Sequence, residues 1–238
     1  MKTVFITGAG GGIGSKMAEL FAQEGYFVIL HYHHNKTTEQ LAKKLHGVAV
    51  QADLAEISEI ETMINTVLKI AGHIDVLINN AGMSVTGLLT DIAPDTRKKL
   101  FAVNILGAIE CTRLLLPQMV HRKSGCILNI SSMWGQVGAS CEVDYSATKS
   151  AMIGFTKALA QEVAPSHIRV NCIACGVIQT PMLNCYDNQV LQQLAEETPL
   201  GRIGMPEDIA QTALFLCSEK ADFITGQILG VNGGFVIS

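Results

Sequence analysis

The chain has 238 residues, 48% of them hydrophobic and 16% charged, with a formal net charge of −4. That is too apolar for a disordered chain, and the charge is of the wrong sign for nonspecific binding to nucleic acid or to an acidic membrane surface. At this length one α/β domain buries roughly 70–75% of its unfolded surface, so neither disulfides nor a metal is needed for stability.

Short β-branched runs alternate with longer amphipathic stretches along the whole chain. Strands are predicted at residues 4–6, 27–30, 48–50, 74–78, 126–130, 168–173 and 227–231, and helices at 14–23, 38–45, 58–71, 95–120, 145–163 and 206–217. Repeated β-α-β units need crossovers. The expected fold is therefore α/β: a single Rossmann-type domain over residues 1–238, with a doubly wound parallel sheet of about seven strands and helices on both faces. No run approaches the roughly 18 apolar residues that span a bilayer, and the start of the chain lacks an apolar leader, so no membrane partner and a cytoplasmic location are expected.

The first strand leads into Thr7-Gly8-Ala9-Gly10-Gly11-Gly12-Ile13-Gly14, and a helix follows at once. Glycines let the backbone turn sharply and approach a pyrophosphate, whose charge meets free N–H groups and the helix dipole. The spacing that fits is Gly8-x-x-x-Gly12-x-Gly14. With a strand before it and a helix after, this reads as a dinucleotide loop, against the alternative of a structural turn.

The end of the second strand is where an acid would hold a ribose 2′-hydroxyl. Here the sequence is Leu30-His31-Tyr32-His33-His34-Asn35-Lys36, with no acid between Gly25 and Thr38. Without a carboxylate to repel a 2′-phosphate, and with Lys36 and two imidazoles to attract it, NADP(H) is favoured over NAD(H). His31 and His33 share a strand face, but no neighbouring Cys or acid completes a metal shell, so a polar strand end is expected and no metal site. The seven cysteines (Cys111, Cys126, Cys141, Cys172, Cys175, Cys185, Cys217) are odd in number and scattered. Cys172 and Cys175 close a strand and have no second pair, so they are expected to be reduced and buried.

Residues 182–204 break the β/α rhythm, with a helical pattern at 188–197, and are expected to form a substrate lid beyond the strand ends. The richest stretch is Asn129-Ile130-Ser131-Ser132 followed by Tyr145-x-x-x-Lys149. Tyr145 and Lys149 share one helical face. A free phenol has a pKa near 10, and a nearby ammonium stabilises its phenolate.

These residues, with the Thr7 to Gly14 loop, Asp53-Leu54, Asn79-Asn80-Ala81-Gly82, Val103-Asn104 and Gly176 to Met182, resemble the short-chain dehydrogenase/reductase family from Thr3 to Gly234. The resemblance implies an NAD(P)-dependent oxidoreductase acting on carbonyl groups. It implies that Tyr145 protonates the substrate carbonyl oxygen, that Ser132 hydrogen-bonds it, and that Ser131 is structural. Lys149 would bind the nicotinamide ribose and lower the tyrosine pKa, and Asn104 would hold a water on the proton path. It also implies cofactor contacts from Gly8, Gly10, Gly12, Ile13, Gly14, His33, Asp53, Leu54, Asn80, Ala81, Gly82, Gly176, Ile178 and Thr180. The family's usual proline before Gly176 is Cys175 here, which leaves that loop less rigid.

The tail from Pro199 to Gly234 is similar to 3-oxoacyl-(acyl carrier protein) reductases of fatty-acid synthesis, with Arg122-Lys123 as the basic pair for an acidic carrier protein. Ser132 to Tyr145, with Ala174-Cys175-Gly176, also resembles a reductase acting on a 5-aminopentanone group attached to elongation factor P. There Glu142 or Asp144 would meet the substrate ammonium, or would simply favour the helix N-terminus. Trp134 would wall the pocket or pack in a subunit contact. A homo-oligomer, dimer or tetramer, is implied by the family. A non-catalytic dinucleotide sensor would be expected to lack part of the Asn, Ser, Tyr, Lys set, and all four are present.

Overall fold

Alternating apolar residues on each strand face both ways into the protein, and this decides the architecture. In a computed structural model describing residues 1–185 and 187–237, without the Cys185 side chain, strands β1 (Thr3–Ile6), β2 (Phe27–Tyr32), β3 (Val48–Gln51), β4 (Val76–Asn79), β5 (Gly125–Ser132), β6 (Ile168–Cys175) and β7 (Ile228–Val231) form one sheet. Its order is β3-β2-β1-β4-β5-β6-β7, and every pairing is parallel. Val4, Ile6, Val28 and Leu30 pack under α1 (Gly12–Gln23), α2 (Thr37–Lys44) and α9 (Pro206–Cys217). Phe5, Ile29, Leu77 and Ile127 pack under α3 (Ile57–Ala71), α5 (Gly107–Arg122) and α7 (Val143–Val163). The expected single α/β domain with helices on both faces is what the chain forms. Tyr186 and Ser238 lie outside the described residues, the first within the span expected to be a lid.

The strand order reverses between β1 and β4, and the crevice beyond their C-terminal ends is where such sheets bind ligands. The glycine loop leaves β1 there and Asn80-Ala81-Gly82 leaves β4 there. Asn79 on β4 donates to Asn129 Oδ1 on β5 at 2.9 Å and to Thr112 Oγ1 on α5 at 3.0 Å, while Asn129 donates to Thr156 Oγ1 on α7 at 2.9 Å. This buried chain ties both helices of one layer to the sheet at a fixed height, and so fixes where α7 begins.

Two expectations are corrected. The helix predicted at 95–120 is α4 (Pro94–Phe101), a π-helical turn at Ala102–Leu106 and then α5. A π turn inserts one residue into the helical repeat, so hydrophobic periodicity runs through it unmarked. The run Pro94–Arg122 is, by length and composition, the one described helix able to cross a membrane, but Leu100, Ile105, Cys111, Leu115 and Met119 are buried in this fold. Secondly, Arg122 and Lys123 precede β5, whereas Ser132 ends it. Seven strand steps of about 3.3 Å put the basic pair roughly 23 Å from the site along the sheet. Arg122 is moreover engaged with Asp75 at 2.6 Å, so this pair does not stand at the mouth.

Candidate active site

The crevice opens into a cleft of about 1070 Å³. Of the residues expected from the sequence to contact cofactor or substrate, the glycine loop, His33, Asp53, Leu54, Asn80 to Gly82, Ser132, Tyr145, Lys149, Gly176, Ile178, Thr180 and Glu142 line it, while Asn104, Lys36 and Asp144 do not. One end is built on the glycine loop. Gly8 has φ +65°, and a Cβ there would lie 2.7 Å from Ala81 Cα, so glycine is required where the two loops touch. A Cβ on Gly12 would sit 3.0 Å from Thr180 Cγ2, which brings the loop against the one following β6. The residue before α1, Gly11, supplies no side-chain cap, and a side chain at that position would meet only one atom within 4 Å. The first N–H groups of α1 are those that a helix leaves without intrahelical partners, and they belong to cleft-lining residues at the positive end of the dipole. This donor set fits a diphosphate.

His31 is not the polar strand end expected from the sequence. It is 2% exposed, its Nδ1 accepts the Gly8 N–H at 3.1 Å, and its Nε2 donates to Ala52 O at 3.0 Å. The backbone donor fixes the tautomer. Burial pushes its pKa down to about 4. Between pH 6.5 and that value the unfolded chain binds a proton that the folded chain does not, so stability falls as pH drops through this window. The loss amounts to roughly 2–3 kcal/mol by pH 4.5. Urea titrations at pH 7 and 4.5 should show His31→Asn losing that much less than the wild type; equal losses would remove His31 from the account.

His33, His34 and Asn35 line the adenosine end, where Asn35 donates to Gly10 O at 2.7 Å and His33 Nε2 is 3.5 Å from Asp53. Lys36, expected to help attract a 2′-phosphate, is the residue before α2 and does not line the cleft.

At the other end α6 (Trp134–Val137) crosses the start of α7. Gly135 makes this possible, since a Cβ there would be 2.7 Å from the Lys149 carbonyl carbon. Ser131 Oγ donates to Lys149 O at 2.8 Å, a structural bond, while Ser132 Oγ accepts the Trp134 N–H at 3.2 Å and shares the cleft with the Tyr145 side chain. Burial pushes the Tyr145 phenol up, opposed by the bond to Ser132. Lys149, 4% exposed, donates to Ile130 O at 3.0 Å, with Nζ 5.7 Å from the Tyr145 ring centre, and burial lowers its pKa. With the Lys149 ammonium turned to the Ile130 carbonyl, burial rather than the ammonium sets the direction of the shift at Tyr145.

Asn104 lies in the π turn, fully buried behind Met83. Its Oδ1 accepts from Met83 N at 2.8 Å, and its Nδ2 donates to Met83 O at 2.9 Å and to Thr148 Oγ1 at 3.1 Å. Its amide is thus committed to protein partners, and what it can offer a water is a remaining oxygen lone pair or a carbonyl released by the π register.

The two acids before Tyr145 separate cleanly. Asp144 is held by Arg97 at 2.8 Å. Glu142 lines the cleft beside Ser84 Oγ (3.3 Å) and Thr86 Oγ1 (3.4 Å), with no ion-pair partner among the described residues, and burial raises its pKa. The sequence reading missed Ser84, Thr86 and Lys99, and it covered Met182, Leu183, Val190 and Leu194 only as part of the expected lid. Ser84 and Thr86 lie on the loop that continues from Asn80-Ala81-Gly82, so that loop was legible; Lys99 needed the fold.

Comparison with known proteins agrees with this geometry. A family model described as enoyl-(acyl carrier protein) reductase matches residues 8–236. The chain is 43% identical over 241 residues to the uncharacterized oxidoreductase YmfI of Bacillus subtilis, covering 98% of each. It is 38% identical over 239 residues to the 3-oxoacyl-[acyl-carrier-protein] reductase FabG of Staphylococcus aureus, covering 98% of this chain and 97% of the relative. A crystal structure of 3-ketoacyl-(acyl-carrier-protein) reductase from Brucella melitensis complexed with NADH superposes with a TM-score of 0.95 at 32% identity, covering 99% of this chain and 98% of that one. With its seven-stranded parallel sheet, glycine cradle and Ser132, Tyr145 and Lys149 in one cleft, the chain belongs to the short-chain dehydrogenase/reductase family and is an NAD(P)-dependent oxidoreductase acting on carbonyl or hydroxyl groups.

Proposed function

We propose that the protein is a cytoplasmic, homo-oligomeric, NADP(H)-dependent reductase of 3-oxoacyl groups carried on acyl carrier protein. The observation that carries this reading is the meeting of Ser132 and the protonated Tyr145 in a cleft whose other end is a diphosphate cradle. A dinucleotide held on the Gly8 to Gly14 loop would supply the hydride that reaches the carbonyl carbon. Tyr145 then gives its proton to the oxygen, and Ser132, its Oγ already occupied as acceptor by the Trp134 N–H, turns its own hydrogen to the same oxygen. Lys149 holds the ribose and supports the phenolate left behind, and Asn104 keeps Met83 and α7 in place around the proton path.

Lys99 of α4 lines the cleft and takes the role first given to Arg122-Lys123, a cation beside the path of a phosphate-bearing carrier arm. The preference for NADP(H) rests on His33, His34 and Asn35 at the adenosine end, without an acid in that segment. Residues 182–204 act as the lid, contributing Met182, Leu183, Val190 and Leu194 to the lining.

A second reading, reduction of a 5-aminopentanone group on elongation factor P, is favoured by one observation: Glu142 is the acid facing the cleft without a cation. Turnover of acetoacetyl thioester, neutral β-ketoesters and an aminoketone, each with NADPH and NADH, tests both. Thioester reduction with lower KM for NADPH supports the first; strong preference for the aminoketone transfers the assignment to the second. No turnover of any ketone by protein that binds the dinucleotide ends both and leaves the sensor reading. Glu142→Gln is expected to raise KM for the aminoketone about tenfold, or ~1.4 kcal/mol, while leaving neutral ketoesters within twofold.

A further inference from the structure

Trp134 is the sole tryptophan of the chain, and it lines the cleft two residues after Ser132. Its indole is met edge-on by Phe235, with ring centres 5.6 Å apart and planes at 90°. Phe235 does not line the cleft itself. It reaches Trp134 from a C-terminal turn that is held on several sides.

The turn is organised by Asn232, 9% exposed, whose Nδ2 donates to Val236 O at 2.9 Å and whose Oδ1 accepts from Gly234 N at 3.0 Å. Phe235 N donates to Asn232 O at 3.2 Å. Gly233 and Gly234 have φ of +64° and +87°, which only glycine adopts without strain. The turn is also wedged between neighbours. A Cβ on Gly176 would lie 2.6 Å from Asn232 Cα, a Cβ on Gly233 would lie 2.5 Å from Thr198 Cγ2, and Leu200 N donates to Gly233 O at 3.1 Å. Phe235 is thus presented to the indole by a turn braced on the loop after β6 and on the segment after α8 (Asn188–Glu197).

We propose that Phe235 is a positioning residue for substrate specificity: by clamping the Trp134 indole at a right angle it fixes the width of the ketone pocket and selects unbranched acyl arms. Trp134 lines the cleft together with the aliphatic side chains of Met182, Leu183, Val190 and Leu194. A branch beside the carbonyl needs more width than an extended chain, and the edge-on ring of Phe235 restrains the indole from yielding it.

The inference rests on the reading of the site as a ketone reductase, and its test separates the two. Wild type and Phe235→Ala are compared on ethyl 3-oxohexanoate and its branched isomer ethyl 4-methyl-3-oxopentanoate, together with Trp134 emission and acrylamide quenching. The variant is expected to lower the wild-type preference for the unbranched ester about tenfold, through KM for the esters rather than kcat. Trp134 emission should shift to the red and its quenching constant rise. Phe235→Tyr, which keeps the ring edge, should restore both. Should Phe235→Ala fail to fold, Phe235→Leu keeps the apolar volume without the ring and carries the same expectations.

An unchanged ester preference, or unchanged Trp134 emission and quenching, overturns the proposal. If the wild type reduces neither ester, the 3-oxoacyl reading fails, and with it the claim about branching; the fluorescence comparison then still decides whether Phe235 clamps the indole.

Discussion

Tyr145→Phe is expected to lower kcat for ketone reduction about 10³-fold or more, while dinucleotide affinity and the unfolding midpoint stay close to wild type. A general acid contributes typically 10²–10⁴-fold, and each factor of ten is about 1.4 kcal/mol of barrier. The phenol stands near Ser132 in the cleft, and burial holds its pKa up, so it carries a proton to give. Removing the hydroxyl leaves Ser132 Oγ still accepting from Trp134 N, so no buried acceptor is orphaned and little stability is lost. The sign of the pH dependence follows from the same group. Reduction uses the phenol and oxidation of the alcohol uses the phenolate, so with the pKa held above its ordinary value near 10 the oxidation rate should climb towards alkaline pH while reduction stays level. Steady-state rates in both directions over pH 6–10 check this. A Tyr145→Phe variant within tenfold of wild type would dismiss Tyr145 as the acid.

Gly14→Ala should abolish useful cofactor binding. A Cβ at this position would lie 2.4 Å from Gly8 O, 2.7 Å from Asn80 Nδ2 and 2.9 Å from Ala9 Cα. Two of these are backbone atoms, so no rotamer relieves the overlap and the loop itself has to move. Overpacking of this kind costs typically 1–3 kcal/mol of stability. In a chain of this size that is roughly 2–12 °C in Tm. Because the displaced atoms shape the diphosphate cradle, the Kd for NADPH is expected to rise at least ~100-fold, about 2.7 kcal/mol. Gly154→Ala is the matched control. It lies inside α7, a Cβ there meets nothing within 4 Å, and helix propensity should make it neutral or stabilising by up to ~1 kcal/mol. Fluorescence titration with NADPH and thermal melts of both variants decide the matter; wild-type affinity in Gly14→Ala would show that the loop is not the cradle.

Much of this site was legible before any fold was known, and the reasons are local. Tyr145 and Lys149 are one helical turn apart, so their shared face follows from the helix itself. The glycines after β1 were readable because a strand, a tight loop and a helix N-terminus are contiguous in sequence. What stayed hidden depended on partners far along the chain. Glu142 and Asp144 are two residues apart and look alike; only Arg97, 47 positions from Asp144, tells them apart. His31 looked like one more polar residue of a strand end, and its role emerged only when β2 paired beside β1 and brought Gly8 N onto its ring. The π turn around Asn104 left no mark on the hydrophobic pattern, and the resemblance that gave Arg122-Lys123 to an acidic carrier says nothing of the pairing of Arg122 with Asp75, 47 positions away.

The sequence by itself determined the alternation of strands and helices, the glycine loop between the first strand and helix, and the shared face of Tyr145 and Lys149, because each is written in local spacings that the backbone converts directly into geometry; Ser132 joined them through the family resemblance. The tertiary structure decided which acid is free to meet a substrate, which histidine clamps the glycine loop and which ring holds Trp134. These are contacts between segments tens to a hundred residues apart, and their register is set by how the helices pack on the sheet rather than by any local rule.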